Sequence, residues 1–61
     1  MVYDINYELP DKRAMIEVDY KDAPVDSELM IKDKAGNLYS ATVETRVFGG
    51  VVVKVKEVLV G

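Results

Sequence analysis

Polar and apolar residues alternate with a period of two along most of this chain, the pattern of strands with one covered face. Over residues 2–9, Tyr3, Ile5, Tyr7 and Leu9 fall on one face and Asp4, Asn6 and Glu8 on the other. Pro10-Asp11-Lys12-Arg13 then supplies turn chemistry, with proline presetting φ at the first central position. Residues 13–20 alternate again, with Ala14, Ile16, Val18 and Tyr20 inward. Facing Leu9 with Ala14, Tyr7 with Ile16, Ile5 with Val18 and Tyr3 with Tyr20 keeps every inward pair apolar. A slip of one residue would carry charges into the core. The same register sets Asp4 opposite Asp19, a mildly unfavourable like-charge pair.

Residues 21–27, Lys-Asp-Ala-Pro-Val-Asp-Ser, make an irregular connection, because Pro24 cannot donate to a ladder and Asp26 and Ser27 favour turns or caps. A short helix over 28–34 is rejected: Leu29, Met30 and Ile31 are consecutive, and their helical neighbours are mostly charged. A strand over 28–33 with Leu29 and Ile31 inward fits better. Asp33-Lys34-Ala35-Gly36-Asn37 reads as a three-residue hairpin loop with Gly36 left-handed. That loop places Ile31 opposite Tyr39 and Leu29 opposite Ala41.

The valine-rich end of the chain reads as one long hairpin, strands 38–47 and 51–60. Tyr39, Ala41, Val43, Thr45 and Val47 point inward on the first. A three-residue loop, Phe48-Gly49-Gly50 with Gly50 left-handed, pairs Val47 with Val51, Thr45 with Val53 and Val43 with Val55. It also sets Glu44 against Lys54 on the outer face. Val58 and Val60 then have the wrong parity. A β-bulge near 56–57 returns them to the interior and bends the strand.

These strands predict an all-β fold, a small five-stranded antiparallel β-barrel or a sandwich, occupying residues 1–61 as one domain. The first strand is expected to lie beside the fifth, because Asp4 and Glu8 then meet Lys54 and Lys56. A chain of 61 residues has room for one small core and is marginal unless packing, closure or self-association reinforces it.

The net charge of −3 is uneven, with nine acidic and four basic residues in 1–33 and four basic and two acidic in 34–61. Net acidity disfavours phosphate, so no nucleic-acid partner is expected. The first residues lack the basic and apolar regions of a signal peptide. The longest unbroken apolar runs have three residues, as in Val51-Val52-Val53, far short of the ~20 residues of a membrane-spanning helix. No membrane partner is expected, and the compartment of this soluble domain stays open.

There is no cysteine or histidine, which removes the usual ligands of zinc, haem and iron–sulfur clusters and the usual base of a nucleophilic triad. Ser27, Ser40, Thr42 and Thr45 have no activating partner except a lysine. Asp4, Glu8, Glu17, Asp19, Asp22, Asp26 and Glu28 sit at outward or loop positions, where nothing raises a carboxyl into the acid–base range. A divalent cation could bridge Asp4 and Asp19 or sit among Asp22, Asp26 and Glu28, but no calcium-loop pattern is present. The expectation is therefore no enzyme, no catalytic or metal residue and no cofactor. Tyr3, Tyr7, Tyr20, Asp19 and Asp22 would suit a basic, proline-rich peptide if they were exposed. Met15, Met30, Leu38, Phe48 and Val52 have outward parity and are a candidate surface for weak self-association.

The turn modules Asp33-Lys-Ala-Gly-Asn37 and Phe48-Gly-Gly50, the matched inward positions and the placed bulge resemble those of de novo designed small β-barrels of SH3-like or OB-like kind, which implies a closed five-stranded antiparallel barrel. The chain also lacks tryptophan and glutamine. The resemblance implies a scaffold with no native substrate or partner. The alternative is a small SH3-like module that binds a peptide or protein.

Overall fold

A computed structural model describes all of residues 1–61. It contains five strands and no helix: β1 (Val2–Leu9), β2 (Arg13–Ile16), β3 (Glu28–Lys32), β4 (Leu38–Val47) and β5 (Gly50–Val60). They close into a barrel in the order β1-β2-β5-β4-β3, with β3 returning to β1. The small all-β barrel therefore stands. Two parts of its expected topology do not.

The sheet is mixed rather than antiparallel. Val2, Tyr3 and Asp4 of β1 pair in parallel with Met30, Ile31 and Lys32 of β3, while the rest of β1 pairs antiparallel with β2. The first strand thus lies between β2 and β3, and β5 lies between β2 and β4, so the expected pairing of the first and fifth strands is wrong. The charges match the real neighbours. Asp4 faces Lys32 at 3.6 Å, and Lys56 reaches Glu28 at 3.3 Å.

The change of partner along β1 occurs at a bulge. Ile5 pairs with Ile16 but Tyr7 with Met15, which leaves Asn6 as an extra residue. A bulge bends its strand and flips the facing of the residues beyond it, so Tyr7 is exposed instead of inward. The expected pairs Leu9–Ala14, Tyr7–Ile16, Ile5–Val18 and Tyr3–Tyr20 are replaced by Leu9–Arg13, Glu8–Ala14, Tyr7–Met15 and Ile5–Ile16. The second strand ends at Ile16 rather than residue 20, and the opposition of Asp4 and Asp19 disappears. Residues 17–27 instead cross one end of the barrel. Successive turns there, with Asp22 N donating to Asp19 O and Ala23 N to Tyr20 O, lower Ala23 into the core at 1 % exposure. Asp26 N donates to Val43 O and Val43 N to Ser27 O, which ties the crossing to β4.

The β3–β4 hairpin agrees with the sequence reading. Leu29 pairs with Ala41 and Ile31 with Tyr39, and Gly36 is left-handed with φ 91°. The β4–β5 turn differs. Val47 pairs with Gly50 across a two-residue turn, Phe48-Gly49, and the left-handed residue is Gly49 with φ 85°. An unexpected bulge at Glu44 then shifts the register, so that Val43 meets Val53 and Ala41 meets Val55 in place of the expected pairs Val47–Val51, Thr45–Val53 and Val43–Val55, and Thr45 and Val47 are exposed rather than inward. Glu44 is consequently not opposite Lys54. The bulge near 56–57 is present, with Lys56 as the extra residue, and Leu59 forms another. Val58 and Val60 nevertheless remain outside, at 61 % and 57 % exposure, because β5 here runs beyond the end of β2 and has nothing to close over it.

The core consists of Ala14, Ile16, Ala23, Ile31, Ala41, Val43, Val51 and Val53, flanked by Tyr3, Ile5, Val18, Leu29, Tyr39 and Val55. Small and branched residues meet across it, as in the register row Ala14–Val53–Val43. This mixture fills the narrow interior of a small barrel.

Candidate functional site

Two of the surface depressions are candidate sites. The first is the open end of the barrel, where β5 continues past β2. Ile5, Leu9, Ala14, Tyr39, Val55 and Val58 line a hollow of about 410 Å³, with Glu8, Lys12, Arg13, Lys56 and Glu57 around it. Mouths of β-barrels are common ligand sites. Two of the five rim charges, Arg13 and Lys56, are engaged in ion pairs. Arg13 Nε donates to Glu44 Oε1 at 2.6 Å, and Lys56 Nζ to Glu28 Oε2 at 3.3 Å. The Glu44 bond and charge raise the Arg13 pKa, so its guanidinium stays protonated.

Tyr39 is held over this end by a second polar group. Asp33 Oδ2 accepts from Tyr39 Oη at 2.6 Å and from Asn37 Nδ2 at 3.0 Å, while Asp33 Oδ1 accepts from Asn37 N at 2.9 Å. These bonds, led by that from Tyr39, pull the Asp33 carboxyl below the usual carboxylate range. The same bond pushes the Tyr39 phenol upward. The cluster binds the hairpin loop to its own strand. Its signal was present in the sequence, since Asp33 and Asn37 bracket the loop and Tyr39 comes next at matching parity.

The second depression is a shallow groove of about 490 Å³ between the crossing segment and the β4–β5 turn. Glu17, Val18, Asp19, Tyr20, Arg46 and Val47 border it. The Arg46 guanidinium lies 4.4 Å from the centre of the Tyr20 ring, in cation–π contact. Of the residues grouped for peptide binding, Asp19 and Tyr20 meet here. Tyr3 lies beside Leu29 and Met30, and Tyr7 lies opposite Met15. Tyr20 is exposed, contrary to its expected inward position.

The remaining candidates are dispersed. Asp4 and Glu28 are salt-bridged to Lys32 and Lys56. Asp26 holds a left-handed turn position with φ 73°. Asp19 accepts from Lys21 N at 3.0 Å. No three acidic side chains converge as a metal site would require.

Among the residues proposed for self-association, Met15 is a correction. It is 5 % exposed, opposite Val52 in the β2–β5 pair, and its Sδ accepts from Asn6 Nδ2 at 3.4 Å. Val52 and Leu38 are half-buried, while Met30 and Phe48 are exposed. Sequence parity missed Met15 because neighbours across the sheet cover its outward side chain: the bulged Asn6 reaches its Sδ, and its Cε lies against Gly50, which has no side chain.

No helix is long and apolar enough to cross a membrane. Comparison of the chain with protein-family models, with curated proteins and with solved structures finds no match.

Proposed function

We propose that this chain is a structural scaffold, similar to de novo designed small barrels of SH3-like or OB-like kind, soluble and without a native substrate or cofactor. The observation that supports this reading is how its polar chemistry is used. Displaced acidities often mark functional sites. In this chain they belong to Arg13, Asp33 and Tyr39, and each is displaced first by a bond that joins parts of the barrel. Backbone amide spectra recorded with mixtures of small metabolites test the proposal. Spectra unchanged at every residue are expected. Saturable shifts confined to the Tyr39–Val58 mouth would overturn it.

The groove beside Tyr20 favours a second reading, a small module for a basic peptide, because Glu17 and Asp19 stand next to an aromatic ring. Arg46 already occupies one side of that ring, which favours the scaffold. A labelled basic, proline-rich peptide distinguishes them: saturable binding lost in Tyr20→Ala supports the module, and no binding removes it.

A further inference from the structure

Besides the short edges of Val2–Asp4 away from β3 and Glu28–Leu29 away from β4, which carry Asp4 and Glu28, three longer strand segments have an edge without a neighbouring strand: Ile5–Leu9 of β1 away from β2, Glu44–Val47 of β4 away from β5, and Lys56–Val60 of β5 away from β4. Free edges pair with other chains unless charge, proline or distortion prevents it. The first carries Asn6 and Glu8 and runs into Pro10, and the second carries Glu44 and Arg46. The third also carries two charges, Lys56 and Glu57, and bulges at Lys56 and Leu59, and it differs from the others in its uncharged end. After Glu57 it reads Val58-Leu59-Val60, exposed by 61 %, 43 % and 57 %. Consecutive apolar residues give both faces of a strand apolar side chains, a composition suited to a strand covered on both faces.

We propose that two copies of this chain associate through these β5 edges, antiparallel about a two-fold axis at Leu59. A free edge offers both donors and acceptors, so the same edge on a second copy complements it. The segment Val58-Leu59-Val60 also reads the same in both directions. Centring the axis on Leu59 sets Val58 against the partner's Val60 and Glu57 against the partner's Gly61, with Lys56 beyond the pairing. Centring it on Glu57 would oppose two carboxylates, and centring it on Val58 would set Glu57 and Lys56 against apolar side chains. The bulges at Lys56 and Leu59 bend the strand and keep the shared ladder short, so the association is weak and dynamic.

The full chain is tested by sedimentation over a wide range of concentration and by oxidation of single-cysteine variants. The apparent mass should rise from one chain towards two, and Leu59→Lys should abolish the rise while leaving the melt of dilute protein unchanged. Val60→Lys serves if Leu59→Lys fails to fold. Directly opposed residues of an antiparallel pair lie about 4.5–5.5 Å apart at Cα, within the span of a disulfide. L59C should therefore cross-link to a dimer faster than F48C, whose thiol would lie in the exposed turn at the other end of β5. A single-chain mass at every concentration, a dimer that persists in the lysine variant, or equal cross-linking of L59C and F48C would overturn the proposal.

Discussion

A Cβ placed on Gly50 would collide with the carbonyl oxygen of Ile16 and stand 2.8 Å from Met15 Cε. The glycine is therefore required by the approach of β2, where Ile16 pairs with Val51, and not by a left-handed backbone. Gly50→Ala must push β2 away from β5 at the place where the barrel closes. Overpacking costs about 1–3 kcal/mol and sometimes more, and a clash with backbone belongs at the upper end, so urea unfolding should show a loss of about 3 kcal/mol. Gly36→Ala is the comparison, since a Cβ there meets nothing within 4 Å. Its cost should be the ~1–2 kcal/mol of a left-handed non-glycine residue.

The β1–β2 turn holds two non-glycine residues in left-handed conformation, Asp11 with φ 61° and Lys12 with φ 60°. Aspartate tolerates that region better than lysine does. Lys12→Gly relieves strain of about 1–2 kcal/mol and adds about 0.5–1 kcal/mol of chain entropy to be lost on folding. A net gain of between zero and about 1.5 kcal/mol should raise the urea midpoint and leave the slope unchanged.

Ile31 is fully buried, while Val58 on the long end of β5 is 61 % exposed. Ile31→Ala should cost about 2–5 kcal/mol, enough to unfold much of so small a domain. Val58→Ala in dilute protein should stay within about 0.5 kcal/mol. Comparable losses in thermal melts of the two variants would mean that Val58 is an interior residue after all.

The Asp33–Tyr39 bond makes stability depend on pH at both extremes. The Asp33 pKa is lowered in the folded chain, so its contribution is present above the ordinary aspartate range and is lost as pH falls through the folded value. The Tyr39 pKa is raised, so its contribution is present below the ordinary tyrosine value and is lost as pH rises through the folded one. Melting temperatures measured across pH should decline at both ends. Tyr39→Phe should remove its part of the alkaline decline and weaken the acid one, because Asp33 keeps its bonds from Asn37.

Local features of this protein are legible in its residues alone: five strands, the 33–37 loop with Gly36 left-handed, the pairing of Ile31 with Tyr39 and Leu29 with Ala41, and a bulge near 56–57. Each arises from alternation and turn chemistry within one hairpin, where a wrong register would bury charge. Which strands meet, and where the facing changes, was set by closure of the barrel. The bulges at Asn6 and Glu44 are inserted to bend strands around a closed barrel, and each interrupts a run whose polar alternation continues unbroken in the sequence. Period-two reading therefore carried the wrong face past both, placing Tyr7 inside and Glu44 opposite Lys54. The parallel pairing of Val2–Asp4 with Met30–Lys32 depends on contact between distant segments, as does the salt bridge between Arg13 and Glu44. The candidate mouth has the same origin: it exists because β2 leaves β5 at Lys54 while β5 runs on to Val60, a difference in strand length that arises only in the assembled barrel.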